Sequence, residues 1–117
     1  MARRELDWLQ RPIAHRGLTA QGGIENSATA IRAAIDAGLA IEVDLQCGAD
    51  GVPVVFHDST LDRLTDEKGR VADRDATELC RIVLRDSEDR ILALDDLLRL
   101  VNGQVPLVIE VKSTWGR

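Results

Sequence analysis

The sequence predicts an α/β domain with mostly parallel strands, and three observations support that fold class. Candidate strands and helices alternate along 117 residues, which is about one domain's length. Aromatic residues make up only 3% of the chain, so Val, Ile, Leu and Ala must build the core, as is usual around buried parallel strands. Each candidate strand also ends in ionisable side chains that follow apolar ones.

The first part of the chain predicts a strand, a loop and a helix. Residues 11–16 are a strand candidate that Gly17 ends, and residues 25–27 (Glu-Asn-Ser) supply helix-capping side chains. Apolar residues at helical spacing follow over 28–35. Gly38 stands where a glycine commonly terminates a helix.

The middle of the chain predicts two further strands. Residues 40–46 alternate strictly, with apolar side chains on one face and the carboxylates Glu42 and Asp44 on the other. Residues 50–51 (Asp-Gly) predict a tight turn. Residues 52–57 then predict a strand, which we interpret as one more member of the mostly parallel sheet.

The remainder predicts an insertion followed by a helix and a strand. Residues 59–90 are polar, with a short helix near 76–83. Residues 94–101 carry apolar side chains at helical spacing, and Pro106 precedes a strand over 107–112. Nothing would cover the edge of this last strand, so we expect the isolated chain to be marginally stable or prone to aggregate.

Composition argues against several functional classes. The net charge is −5 and no basic run is present, which argues against a nucleic-acid partner. The first ten residues lack the apolar stretch of a signal peptide, and no segment reaches the length of a membrane anchor. Cys47 and Cys80 lack metal-ligand spacing, so free thiols in a cytoplasmic protein are expected.

Three carboxylates are candidate ligands for a cation. Glu42 and Asp44 point to the same side of one strand, roughly 7 Å apart along the chain, and Glu110 lies on another strand beside Lys112. Hard oxygen ligands of this kind suit Mg²⁺ or Ca²⁺. The alternatives are a solvent-facing edge strand for the first pair and a surface salt bridge for Glu110 and Lys112.

The two histidines of the chain are candidates for proton transfer. His15 and His57 each lie at the carboxyl end of a candidate strand, followed by Arg16 and Asp58 respectively. Histidine titrates near neutral pH, so two that face one pocket could act as general acid and general base. Taken singly, a structural role is the more common alternative. Active sites of parallel α/β proteins, however, lie at the carboxyl ends of the strands.

Together these motifs resemble the glycerophosphodiester phosphodiesterase family over residues 12 to about 112. The order and spacing of the motifs match as well as their composition. Small departures are Ser27, where Thr is frequent, and 92–94 (Leu-Ala-Leu), where Pro-Thr-Leu is common. The resemblance is carried by residues 15–17 (His-Arg-Gly), 25–27 (Glu-Asn-Ser), 42–44 (Glu-Val-Asp), 50–58 (Asp-Gly-Val-Pro-Val-Val-Phe-His-Asp), 61–63 (Leu-Asp-Arg) and 110–112 (Glu-Val-Lys).

The resemblance implies a fold and a set of residue roles. The fold would be a TIM (β/α)8 barrel of the phospholipase C-like phosphodiesterase type, represented here by about its first four strands and a small insertion over about 59–90. Three carboxylates would bind one divalent cation, Mg²⁺ or Ca²⁺. Two histidines would form the acid/base pair, and two positively charged side chains would hold the phosphate. These residues would be Glu42, Asp44 and Glu110 for the metal, His15 and His57 for proton transfer, and Arg16 and Lys112 for the phosphate.

The implied reaction is hydrolysis of a small glycerophosphodiester, such as glycerophosphocholine, to glycerol 3-phosphate and an alcohol. In the family's proposed mechanism a glycerol hydroxyl attacks phosphorus first, and water opens the resulting cyclic phosphate. A TIM barrel needs about 250 residues, so we expect this sequence to be either a fragment of a longer enzyme or a half-barrel that pairs with the second half. Alternatives are a catalytically silent remnant and a related phospholipase-type phosphodiesterase that acts on lipids.

Overall fold

The computed structural model describes residues 12–20 and 23–112 and shows a five-stranded sheet with helices packed against it. The predicted α/β class is confirmed. No helix in these two ranges is long and apolar enough to cross a bilayer. In chain order the elements are β1 Ile13–His15, α1 Ala28–Asp36, β2 Ala40–Cys47, β3 Pro53–Val55, a short 3-10 helix Val71–Asp73, α2 Ala76–Leu79, β4 Leu92–Ala93, α3 Leu94–Val101 and β5 Leu107–Val111.

The parallel part of the sheet is formed by β1, β2 and β5. Strand β2 lies between the other two, and its register pairs His15 with Glu42 on one side and Asp44 with Glu110 on the other. Paired residues of parallel strands present their side chains on the same face. The register therefore brings polar residues from three strands to one edge of the sheet, as the sequence predicts for the carboxyl ends of parallel strands.

Residues 52–57 do contain a predicted strand, but counting it among the four barrel strands is wrong. Strand β3 covers only Pro53–Val55 and runs antiparallel to β2, and β4 in turn runs antiparallel to β3. The tight turn before β3 is the physical reason. Gly51, at φ +78°, donates its N–H to the carbonyl oxygen of Gly48. A turn this short can join only antiparallel neighbours, because parallel strands need a crossover of a dozen or more residues.

Helix α1 begins and ends as its sequence predicts. The Ser27 hydroxyl accepts a hydrogen bond from the Ala30 N–H at 3.1 Å, which satisfies one of the free donors of the first turn. At the other end Gly38 adopts φ +71°, and the N–H of Leu39 donates to the Ala34 carbonyl oxygen. The buried face of α1 then packs on β2.

Two separate groups of buried side chains stabilise the fold. The first, which we call the sheet core, lies between the parallel strands and helices α1 and α3; its members are Ala14, Ile31, Ala34, Ile41, Val43, Leu45, Val55, Leu97, Val101 and Val105. The second, the insertion core, is built largely by the segment 59–90; its members are Val54, Phe56, Leu61, Val71, Ala76, Leu79, Ile82, Leu84 and Ile91. The segment that reads as polar thus has a hydrophobic interior.

The rest of the predicted elements agree with the structure within a few residues. Helix α3 covers the predicted span and ends at Asn102, whose backbone is left-handed at φ 46°. The short helix expected near 76–83 is the single turn Ala76–Leu79. The outer face of β5 is open, with Ile109 and Val111 exposed among the described residues. That exposure agrees with the expected uncovered edge.

Candidate active site

The three predicted carboxylates lie together at the carboxyl edge of the parallel strands. Alternation along β2 directs Glu42 and Asp44 to the same face, and the register of β5 places Glu110 opposite Asp44. One carboxylate oxygen from each residue lies within 4.8 Å of the other two. The three negative groups are therefore close enough to share one cation.

Asp44 is the buried member of this carboxylate cluster, with no solvent exposure. Its Oδ2 accepts a hydrogen bond from Asn26 Nδ2 at 3.2 Å and lies 3.2 Å from Arg16 Nε. Its Oδ1 has no hydrogen-bond partner within residues 12–20 and 23–112, although Lys112 Nζ stands 4.0 Å away. Burying a carboxylate oxygen without a hydrogen-bond donor costs free energy. A cation bound to Oδ1 would remove that cost, and no described donor competes for the atom.

The electrostatics of the cluster fit a divalent cation. Burial, reinforced by the negative charge of Asp44, raises the pKa of Glu42 above its ordinary range. The ammonium group of Lys112 lowers the pKa of Glu110. Carboxylates that crowd one another in this way are stabilised by a shared positive charge. An all-oxygen donor set is the kind that Mg²⁺ and Ca²⁺ prefer, and Asp44 contributes a buried Oδ1 that no donor in the described residues satisfies.

Asn26 holds Asp44 in place, a role the sequence did not reveal. Its backbone is left-handed at φ 60°, and its side chain is almost fully buried. The amide donates through Nδ2 to Asp44 and accepts the Asp44 N–H at Oδ1, at 3.4 Å. The segment 25–27 was interpreted only as a helix-capping motif. Its neighbour Ser27 does cap α1, whereas Asn26 orients the metal-ligand candidate.

Arg16 spans the cluster from the end of β1. Its backbone N–H donates to the carbonyl oxygen of Glu42 at 2.6 Å and lies 3.2 Å from Glu42 Oε1. Its guanidinium contacts Asp44 through Nε and Glu25 through Nη1 at 3.0 Å. Gly17, at φ +86°, lies so close to α1 that a Cβ atom would clash with Ala30. That close approach fixes the turn that carries Arg16.

The two histidines occupy different environments. His15 is largely exposed, with Nε2 3.6 Å from Glu42 Oε1. His57 follows β3 on a partly buried loop, and its Nδ1 lies 2.7 Å from Asp58 Oδ1. The loop is held by Gln46, whose Nε2 donates to the carbonyl oxygens of Phe56 and Asp58, the residues on either side of His57. Gln46 lies on the same face of the alternating strand as Glu42 and Asp44. That position in the sequence was the signal that could have identified Gln46 as part of the site.

Arg63 links the His57 loop to the cluster. Its guanidinium donates to both oxygens of Asp58 and, through Nη1, to Glu25 Oε1 at 2.8 Å. Glu25 in turn accepts from Arg16. A continuous chain of charged contacts therefore runs from His57 through Asp58, Arg63, Glu25 and Arg16 to Asp44. Sequence patterns assigned no functional role to Asp58, Arg63 or Glu25, although all three lie in the motifs that carry the family resemblance.

The structure thus brings most of the predicted site residues to one place. Glu42, Asp44 and Glu110 cluster, Lys112 and Arg16 flank them, and His15 lies against Glu42. His57 joins this group through the ionic chain. These features define a class of protein: an α/β protein with an acidic site, flanked by Arg16 and Lys112, at the carboxyl edge of its parallel strands, where parallel α/β enzymes carry their active sites.

Comparison with known proteins identifies the family within that class. The model of the glycerophosphoryl diester phosphodiesterase family matches residues 15–116. The chain belongs to this family, which confirms the resemblance seen in the sequence. It is 52% identical over 62 residues to glycerophosphodiester phosphodiesterase 1 of Bos taurus, and 35% identical over 109 residues to a glycerophosphodiester phosphodiesterase of Caldanaerobacter subterraneus.

Solved structures give the same result for the fold. The chain superposes on a glycerophosphodiester phosphodiesterase from Agrobacterium tumefaciens with a TM-score of 0.81 and 31% identity, over 88% of this chain and 47% of that one. It also matches an Oleispira antarctica phosphodiesterase in complex with sn-glycerol-3-phosphate, with a TM-score of 0.78 and 27% identity, over 87% of this chain and 44% of that one. The predicted TIM-barrel fold, present in part, is confirmed.

The matches cover only part of each relative. The chain spans 18% of the bovine protein and 44% of the Caldanaerobacter protein, while 52% and 86% of this chain are aligned, respectively. Within the described residues three barrel strands run parallel, rather than the four expected from the sequence. The remaining strands of a complete barrel therefore correspond to parts of the relatives that this chain does not align with.

Proposed function

We propose that this chain carries part of the active site of an enzyme that hydrolyses glycerophosphodiesters to glycerol 3-phosphate and an alcohol. The carboxylate cluster is the observation that carries the proposal, because it contains a buried Asp44 oxygen with no hydrogen-bond partner in the described part of the chain. Membership of the family supports the reaction class. The Oleispira phosphodiesterase, a structural relative, is in complex with sn-glycerol-3-phosphate.

Glu42, Asp44 and Glu110 would bind one divalent cation, Mg²⁺ or Ca²⁺. When bound, the cation would offset the negative charge that grows on the phosphoryl oxygens. Asn26 would keep the Asp44 carboxylate oriented for this purpose, since it bonds Oδ2 and leaves Oδ1 free. Lys112 Nζ lies 3.6 Å from Glu110 Oε1 and 4.0 Å from Asp44 Oδ1, so its ammonium group is close enough to the cluster to contact a phosphate oxygen as well.

Arg16 and Lys112 would hold the phosphate group. Arg16 Nε is buried and makes no well-formed hydrogen bond to any described residue, although it lies 3.2 Å from Asp44. A guanidinium N–H with spare donor capacity suits a phosphate oxygen. The guanidinium of Arg16 lies near Oδ2 of Asp44, and the ammonium of Lys112 lies near Oδ1. A phosphate held by both side chains would therefore be bound next to the carboxylate cluster.

His15 and His57 would move the protons of the reaction. One would accept the proton of the attacking hydroxyl, and the other would donate a proton to the departing alcohol oxygen. His15 Nε2 is held close to Glu42 at 3.6 Å, while His57 is oriented from its other ring nitrogen by Asp58. Each ring therefore lies beside a carboxylate, Glu42 for His15 and Asp58 for His57.

Release of glycerol 3-phosphate from glycerophosphocholine tests the proposal. We expect turnover with Mg²⁺ or Ca²⁺, none with a chelator, and a loss of about 10²–10⁴-fold in His15→Ala. Arg16→Ala should lower turnover strongly, whereas its control Arg32→Ala, an exposed arginine on α1, should not. Activity that survives chelation would contradict the assigned metal ligands. Hydrolysis of a lysophospholipid in preference to glycerophosphocholine would favour the phospholipase-type alternative.

The remaining barrel strands would complete this site. Among the described residues β5 pairs only with β2, so a further strand would pair with its other edge. If the chain binds the cation but releases no glycerol 3-phosphate until the second half of the barrel is supplied, it acts as a complementing half. If it stays inactive with that half, the silent-remnant alternative is favoured. Both cysteines are free, which suits the cytoplasmic location expected from the sequence.

A further inference from the structure

The contacts of His57 allow an inference about which of its nitrogens carries the proton. We propose that Asp58 and Arg63 are positioning residues that fix the proton of neutral His57 on Nδ1 and leave Nε2 as the atom that exchanges a proton. The inference deepens the proposed function, on which it rests for the identity of the reaction. The tautomer itself is a property of the free protein.

The geometry at Asp58 carries the first step. Arg63 donates through Nε to Asp58 Oδ2 at 2.7 Å and through Nη2 to Oδ1 at 3.0 Å, a two-point contact that favours the ionised carboxylate. These donors, more than the imidazole, lower the pKa of Asp58 to about 2. An ionised carboxylate can only accept hydrogen bonds. His57 Nδ1, 2.7 Å from Oδ1, must therefore be the donor, and it carries the proton.

The second step is that Arg63 is itself held from several directions. Glu25 Oε1 accepts from its Nη1 at 2.8 Å. Arg85, from the far end of the insertion, donates to the backbone carbonyl oxygens of Asp62 and Arg63 at 3.3 and 3.0 Å and to that of Thr65. The insertion thus fixes the loop that carries Arg63. Gln46 fixes the backbone on both sides of His57. The ring and its partner are held independently, so the contact does not depend on one flexible side chain.

The other histidine provides an internal reference. His15 presents the opposite nitrogen, Nε2, to its acidic neighbour Glu42 at 3.6 Å, and its side chain is 68% exposed. We therefore expect the Nδ1–H tautomer for His57, and His15, whose ring makes no hydrogen bond to another described residue, serves as the reference ring. The chain contains no third histidine, so the two rings give an uncrowded spectrum.

Long-range proton–nitrogen correlation spectra of the full 15N-labelled chain at mildly alkaline pH test the tautomers. His57→Gln assigns the two ring patterns. We expect Nδ1–H for His57 in the wild-type chain and a mixture or a reversal in Asp58→Asn. The control Asp36→Asn makes the same change at an exposed position at the end of α1 and should leave the pattern unchanged. An Nε2–H tautomer at His57 in the wild-type chain would overturn the inference without any reference to activity.

Kinetics test the consequence for the reaction in the same preparations. For Asp58→Asn we expect kcat for glycerol 3-phosphate release to fall roughly 100-fold with little change in KM, because the lost function is proton transfer rather than binding. Arg63→Lys should cost less, about tenfold, because it keeps the charge but not the two-point contact. Unchanged kcat in Asp58→Asn would also overturn the inference. An inactive wild-type chain with the expected tautomer would instead contradict only the proposed function.

Discussion

The parallel strands and the insertion side of the molecule position their functional side chains by different means. In the parallel part, backbone register alone places Asp44 opposite Glu110 and His15 opposite Glu42. On the insertion side, His57 is held by a side-chain amide and by charged groups. The boundary between the two regions is β3, where Val54 faces the insertion core and Val55 faces the sheet core.

This difference suits the roles proposed for the two regions. A cation site requires several oxygens at fixed separations, and strands that share backbone hydrogen bonds hold such separations well. A proton-transfer group requires mainly that one ring nitrogen be oriented and the other left accessible. The ionic chain through Glu25 and Arg63 connects the two regions. It offers a route by which the cation site and His57 can be held in one arrangement.

The largest effect is expected at the buried ligand of the parallel region. Asp44→Asn keeps the size of the side chain but removes its charge, so affinity for Mg²⁺ or Ca²⁺ should fall by about 100-fold or more, equivalent to about 2.7 kcal/mol. Isothermal titration calorimetry measures it, with Asp36→Asn as the matched control. The tautomer of His57 should not change. Undiminished affinity in Asp44→Asn would place the cation elsewhere.

Much of the parallel region could be predicted from the sequence. Strict alternation in β2 is a local property of its side chains, and it correctly gave the shared face of Glu42 and Asp44. The capping serine and terminal glycine of α1 are equally local. The nearness of Glu110 to these two carboxylates follows from the rule that parallel strands share one carboxyl edge, whereas its register opposite Asp44 comes from the structure. The fold class required no information beyond these patterns.

The insertion side could not be predicted in the same way. Strand β3 was counted among the barrel strands although its turn was recognised, because the constraint that a tight turn imposes on strand direction was not applied. The contact between Arg63 and Glu25 joins residues 38 positions apart, and no periodicity encodes it. The interior of the segment 59–90 was missed because its apolar residues are spaced irregularly among charged ones. Only the three-dimensional packing assembles them.

The two valines of β3 give a matched test of whether the cores are separate. Val54 and Val55 are adjacent, equally buried and differ only in the core they face. Each Val→Ala change should lower the free energy of unfolding by about 2 kcal/mol, from the lost methyl groups and the residual cavity. Hydrogen exchange should show the loss of protection mainly within 59–91 for Val54→Ala. For Val55→Ala it should appear in β2 and α3.

Equal effects of the two valine variants would show that the two cores are not separate units. If both variants reduce protection equally over the whole described chain, the cores unfold as one cooperative unit and β3 is not a boundary. The comparison would then concern only how side chains are positioned, and not how the two regions are stabilised.

A smaller effect is expected at Asn26, which belongs to neither core. Asn26→Gly preserves the left-handed backbone but removes the amide that orients Asp44. Loss of a residue that orients a ligand should weaken cation binding by about tenfold, or about 1.4 kcal/mol. Asn102→Gly is the matched control, because Asn102 is also left-handed but lies at the end of α3. Equal affinities in the two variants would show that register alone positions Asp44.

The smallest effect is expected on the insertion side and depends on pH. Contacts with Arg63, followed by His57, lower the pKa of Asp58 to about 2 in the folded chain, against about 3.9 when unfolded. A lowered carboxyl pKa stabilises the fold above the unfolded value, and that stabilisation is lost as pH falls through the folded value. Because Arg63 is half exposed, we expect only about 1 kcal/mol.

Urea unfolding of the wild-type chain and Asp58→Asn across this pH range measures the contribution. The wild-type advantage in free energy of unfolding should be constant above about pH 5 and should shrink between about pH 4 and pH 2, because protonated Asp58 no longer attracts Arg63. An advantage that does not change with pH would mean that Asp58 stabilises the fold by packing or neutral hydrogen bonds. The insertion side would then hold His57 without its charge network, and the contrast with the parallel region would be one of geometry alone.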